Sequence, residues 1–186
     1  MIIRHLLIAA IVLAVGACAV YPSTRTFYEV DPSDGTPKNR ASCGYTNTKD
    51  SVQRMVDGIE IFVSPGKRED ISGDPDPTLT VWIQFWLPEG MGDIAVDPSR
   101  VEVVVDGEAL KPEVVANTER PSRRSQGNYK WLSLQLRYPS PSGLKEHLSV
   151  VFQSGAVLLN EHSVAVAPFR FSRVMKSDLY YGSINC

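Results

Sequence analysis

The stretch TLTVWIQFWL, residues 78–87, decides the fold class. Leu79, Val81, Ile83, Phe85 and Leu87 fall on one face at the period of two that an extended strand gives, and Thr80, Trp82, Gln84 and Trp86 fall on the other. Pro88 and Gly90 end the run. The alternation continues on both sides. Upstream, Ile59, Ile61 and Val63 alternate with Glu60, Phe62 and Ser64, ahead of the turn-rich segment SPGKREDISGDPDP at 64–77. Downstream, Val101, Val103 and Val105 form a strand, and Asp106-Gly107 turns it into residues 108–115 as a two-residue hairpin. Leu132, Leu134, Leu136 and Tyr138 then share a face opposite Trp131, Ser133, Gln135 and Arg137. Leu148, Val150 and Phe152 lead through Ser154-Gly155 to a short strand at 156–159.

In the last long strand the apolar positions are Val164 and Val166, then Phe169 and Phe171, a change of phase at Pro168 that marks a bulge or a break in the ladder. Short strands with one apolar face each predict an all-β fold, an antiparallel two-sheet sandwich of the immunoglobulin-like kind. Its core comes from the 79–87 and 132–136 faces. One segment reads differently: Asp50 followed by Val52, Met55 and Val56, with Gly58 behind, has the i, i+3, i+4 spacing of one or two helical turns.

The chain has 186 residues, 13 prolines, 13 glycines and a formal net charge of −2. That balance argues against nucleic acid as a partner, which calls for a basic face. At the start, MIIRHLLIAAIVLAVGAC places Arg4 and His5 before an apolar run, Leu6 to Val15, that closes on Gly16, Ala17 and Cys18. The run is shorter than the roughly 20 residues that cross ~30 Å of hydrocarbon. Val15-Gly16-Ala17-Cys18 resembles the lipobox of the type II signal peptide of bacterial lipoproteins. The resemblance implies export, removal of residues 1–17 and a diacylglyceryl thioether on Cys18, so that the protein sits on a membrane without spanning it. Ala19 is not the aspartate that retains enterobacterial lipoproteins at the inner membrane, which favours a lipid anchor in the outer membrane, facing the periplasm.

Residues 18–42 then read as the lipidated cysteine and a flexible tether, and residues 43–186 as one domain. Tyr21, Phe27 and Tyr28 are uncommon in a plain linker and are candidates to dock on that domain. Once Cys18 carries lipid, the two other cysteines, Cys43 and Cys186, are left to form a disulfide in the oxidising envelope.

Residues for chemistry are sparse. His147 and His162 are the only histidines after the signal, and neither a nucleophile elbow nor a zinc motif is present, so no catalytic residue, metal or cofactor is assigned. Asp70, Asp74 and Asp76 read as solvated loop acids. Arg120, Arg123, Arg124 and Lys130, in and beside a polar loop at 117–128, are candidates for meeting an anionic partner: lipid headgroups, wall polymers or an acidic protein. Trp82 and Trp86 share one strand face about 13 Å apart, the scale of stacking along a glycan. The expected function is that of a membrane-anchored cell-envelope lipoprotein, a non-catalytic binding or accessory module whose partner is an envelope protein or wall polymer. A glycan- or peptidoglycan-binding module is the alternative, and an envelope hydrolase comes third.

Overall fold

The computed structural model describes residues 18–38, 49–66, 78–124, 127–139 and 145–183. The signal segment, Cys43, Cys186 and the three loop aspartates, Asp70, Asp74 and Asp76, lie outside the described residues. The strands in chain order are β1 (Cys18–Val30), β2 (Thr36–Lys38), β3 (Ser51–Val56), β4 (Ile59–Gly66), β5 (Thr78–Pro88), β6 (Ile94–Val96) and β7 (Val101–Val105). They continue with β8 (Glu108–Leu110), β9 (Glu113–Arg124), β10 (Gly127–Pro139), β11 (His147–Phe152), β12 (Val157–Leu159), β13 (His162–Ser163) and β14 (Phe169–Ser183). Two short 3-10 turns, Pro32–Asp34 and Pro98–Arg100, are the helical elements among them. No helix among the described residues is long and apolar enough to cross a membrane.

The sheets are antiparallel and form a sandwich-like arrangement. One has six strands in the order β2-β3-β4-β5-β10-β9, another five in the order β1-β14-β11-β7-β8, and a small third sheet joins β13, β12 and β6. The faces picked out by alternation are the ones buried. Ile59, Ile61, Val63, Leu79 to Leu87 at alternate positions, and Leu132 to Tyr138 likewise meet Val101, Val103, Leu148, Val150, Phe169 and Phe171 in a single cluster. Phe152 links the two sheets, its ring edge-on to Phe85 at 6.3 Å and to Phe169 at 6.0 Å between centroids. Burying one such side chain contributes about 1.5–3 kcal/mol, so this seam holds the sheets together.

A polar lock reinforces it. Asp34, 3% exposed, accepts hydrogen bonds from the backbone N–H and the guanidinium of Arg170 at the start of β14. Arg54 of β3 donates to the Asp34 carbonyl at 2.6 Å and to the Ala167 carbonyl at 2.6 Å, and lies 4.0 Å from the centre of the Phe169 ring. Burial lowers the Arg54 pKa from its ordinary value, against the raising pull of Asp34. A strand of each sheet is thereby tied to one turn.

Five expectations change. Residues 18–30 of the expected 18–42 tether are strand β1, which pairs with β14 along its whole length, and Phe27, Tyr28 and Val30 are buried; residues 39–42 lie outside the described residues. The helical turns at 50–58 are β3 and a hairpin: Asp57 and Gly58 take φ of 49° and 80°, a turn that returns the chain into β4, so Gly58 serves a strand reversal rather than a helix end. β4 runs on through Ser64, Pro65 and Gly66, trimming the turn-rich segment. The polar loop at 117–128 is largely the β9–β10 hairpin, with Arg124 opposite Gly127. Residues 108–115 also divide: β8 stays in the five-stranded sheet, and past Lys111-Pro112 the chain crosses into the six-stranded one. The phase change at Pro168 is a break, with Val164 and Val166 buried ahead of the strand and Phe169 opening it.

Candidate functional site

The register of the six-stranded sheet assembles a row across four strands. Glu60 of β4 lies beside Trp86 of β5, Trp86 beside Trp131 of β10, and Trp131 beside Arg120 of β9. All four belong to the face turned away from the core, because their strand neighbours Ile59, Ile61, Phe85, Leu87 and Leu132 are the buried ones. The indoles of Trp86 and Trp131 lie 6.0 Å apart, and Tyr129, two residues before Trp131, meets Trp86 edge-on at 6.3 Å.

Arginines cap these rings. The Arg124 guanidinium carbon lies 3.4 Å from the Trp86 ring centre, and its Nη1 donates to both carboxylate oxygens of Glu60 at 2.8 and 2.9 Å. Arg120 lies over Trp131 at 4.4 Å. Such contacts are worth about 0.5–1 kcal/mol each at exposed sites and more where solvent is excluded. Arg124 and Glu60 are 28% and 16% exposed, which places their pair toward the stronger end. The Trp131 indole N–H is buried without a hydrogen-bond partner among the described residues.

Lys130 belongs to the other face. Its ammonium bridges Asp93 and Glu119, both at 2.9 Å, and these hydrogen bonds raise its pKa from the ordinary value. Arg123 occupies β9 opposite Asn128. The basic residues expected in and beside a polar loop are therefore set on β9 and β10, and Arg120, Arg124 and Lys130 are each engaged by a ring or a carboxylate. Trp82 stands between Ser64 and Gln135 in the register, two positions along from Gln84, so Trp86 has its aromatic companions across the strands in Trp131 and Tyr129 rather than along β5 in Trp82.

Two clefts flank the row. One of about 520 Å³ is lined by Lys38, Gln53, Phe62, Gln84, Trp86 and Arg124. The other, about 720 Å³, lies between the turn after β5 and the β9–β10 hairpin and takes in Gly90, Arg120, Pro121, Tyr129 and Lys130. Side-chain amides, aromatic surface and guanidinium groups side by side can take hydrogen bonds and stacking together, the mixed chemistry of a polar polymer or a protein surface. His147 and His162 are exposed on β11 and β13, apart in the fold from this row. Among the described residues no group of three or more His, Cys, Asp or Glu could hold a metal ion.

The edge of this sheet is guarded. β9 is its last strand, carries Pro121, and is bulged where Gln135 and Leu136 change partners, two features that discourage another chain from adding on. Trp131 and Tyr129 were the residues that sequence patterning left out of the site; the signal for them was the alternation of β10, which puts Tyr129, Trp131, Ser133 and Gln135 on one face. Comparison with known proteins gave no match: no protein family fits the sequence, and neither a curated protein nor a solved structure is similar to it.

Proposed function

We propose that this chain is a lipoprotein of the bacterial cell envelope, anchored by lipid on Cys18 in the outer membrane and facing the periplasm, and that it works as a non-catalytic binding or accessory module. The lipobox residues Val15 to Cys18 support the anchor. The binding role rests on one observation: the outer face of the six-stranded sheet gathers Trp86, Trp131, Arg120 and Arg124 between two clefts. We read the sandwich itself as immunoglobulin-like, supported by its antiparallel sheets and by a chain that changes sheet between β8 and β9 and again between β10 and β11. In such a module a rigid β-scaffold holds a contact surface at a height set by the anchor. The fold by itself does not choose the ligand.

Two measurements test the reading. Cys18→Ser abolishes labelling by a fatty-acid probe and releases the chain from the membrane fraction or blocks its processing; unchanged labelling overturns the anchor. Wall glycan is the second reading, favoured by the Trp86–Trp131 pair beside the amides of Gln53 and Gln84. Since Arg120 and Arg124 cover those rings, a sugar has to displace a guanidinium or bind at the cleft beside it. Under that reading, Trp86→Ala with Trp131→Ala lowers retention on purified peptidoglycan at least several-fold, whereas equal retention leaves a protein partner as the ligand class.

A further inference from the structure

β1 and β14 outrun the sandwich. β14 pairs with β11 only from Phe169 to Ser172, yet with β1 from Phe171 all the way to Ser183, which lies opposite Cys18. Past Arg173 the two strands form a ribbon with no third strand among the described residues. Phe27 and Tyr28 are buried at its base, while Pro22, Thr24, Met175 and Ser177 farther out are exposed, Met175 at 74%. From the Thr26–Met175 pair to the Cys18–Ser183 pair the ribbon is about 26 Å long at about 3.3 Å per residue.

The tip has its own composition. Residues 18–22, CAVYP, and 179–183, LYYGS, contain no charged residue in a chain that is 22% charged. They hold three of its seven tyrosines, Tyr21, Tyr180 and Tyr181. The register collects them, with Tyr21 opposite Tyr180 and Val20 opposite Tyr181. Tyr21 is three residues from Cys18, hence within about 10 Å of it along the strand. Tyrosine is enriched at membrane–water interfaces, where one end of the ring is apolar and the other wet. A two-stranded ribbon alone is marginally stable in water at best, so an uncharged tip is better supported against a surface than in solvent.

We infer that the tip of the ribbon, residues 18–22 and 179–183, is a membrane-contact surface seated in the headgroup layer of the bilayer that holds the Cys18 lipid. The inference rests on the lipid anchor proposed above. It adds that the protein meets the bilayer through two strands, and that the sandwich stands at a fixed height where a flexible tether would let it roam.

The test places the photoreactive residue p-benzoyl-phenylalanine at position 181 or at position 175 of the full chain in cells, with the fatty-acid probe read on the same sample. A phospholipid adduct at least ten-fold more abundant from 181 than from 175 is the expected result. In protein that carries the fatty-acid label, three results overturn the inference while leaving the anchor in place: no lipid adduct from 181, equal adducts from both positions, or a protein adduct from 181. Loss of the label overturns the anchor and the inference together. A disulfide between Thr24→Cys and Ser177→Cys, formed in the same substituted chains, verifies that the ribbon is intact.

Discussion

Tyr138 and Tyr28 show how differently two buried hydroxyls behave. The Tyr138 hydroxyl is buried with no hydrogen-bond partner among the described residues, and burial raises its pKa well above the ordinary tyrosine value. Removing an unsatisfied polar atom from a core recovers its desolvation cost, so Tyr138→Phe should leave stability unchanged or raise it by up to about 1 kcal/mol in urea unfolding. A loss above that size would mean the hydroxyl is satisfied. Tyr28 accepts a hydrogen bond from the Lys145 backbone N–H at 3.2 Å, and its pKa is pushed up to about 12, chiefly by burial. A folded-state pKa raised above the unfolded value means stability that is whole below about pH 10 and lost as pH climbs through about 12. Tyr28→Phe should therefore cost about 1 kcal/mol near neutrality and flatten the alkaline fall in stability between pH 10 and 12. A fall of unchanged steepness would assign it to other groups. Burial of Tyr138 was legible, since it continues the Leu132–Leu136 face. The lack of a partner for its hydroxyl was not, because that depends on which strand lies opposite.

Among the elements, β5 and β10 were readable because both lie inside the sheet with one face on the core, which enforces strict alternation. β3 was misread because Val52, Met55 and Val56 satisfy helical spacing as well, and pairing with β2 and β4 decided the matter while leaving Met55 59% exposed. β9 was misread because an edge strand shows solvent its backbone and a polar face, and its Pro121 and arginines resemble a loop. The position of Arg124 changes what its removal should do. An arginine on a mobile loop could be neutralised with a change within about 0.5 kcal/mol. Stacked on Trp86 and paired with Glu60, Arg124→Ala should cost about 1–2 kcal/mol, well short of the about 3–5 kcal/mol for Phe85→Ala in the seam. An Arg124→Ala protein as stable as the parent would mean that the stack carries no energy.

For the whole molecule, the first half of the expected tether, Cys18–Val30, is the outermost strand of the five-stranded sheet. It escaped detection because the described ribbon positions Pro22, Thr24, Met175, Lys176 and Ser177 are exposed and set up no apolar period, and prolines at 22, 32 and 37 imitate a linker. Thr24 and Ser177 face each other with hydroxyl oxygens 2.8 Å apart, so Thr24→Cys with Ser177→Cys should oxidise readily into a crosslink seen as a mass loss of two hydrogens; a flexible tether would give free thiols. Under the proposed function, anchor and ribbon give the sandwich its place, and the outer face of the six-stranded sheet is its working surface. That claim is tested most directly by p-benzoyl-phenylalanine crosslinking in intact cells, with the photoreactive residue at position 84, on that face beside the Trp86 row, or at position 149, on the outer side of the five-stranded sheet. The account predicts an adduct to an envelope protein or to peptidoglycan from position 84, lost when Trp86→Ala and Arg124→Ala are added, and none from position 149. An adduct from position 149 with none from position 84 would contradict it.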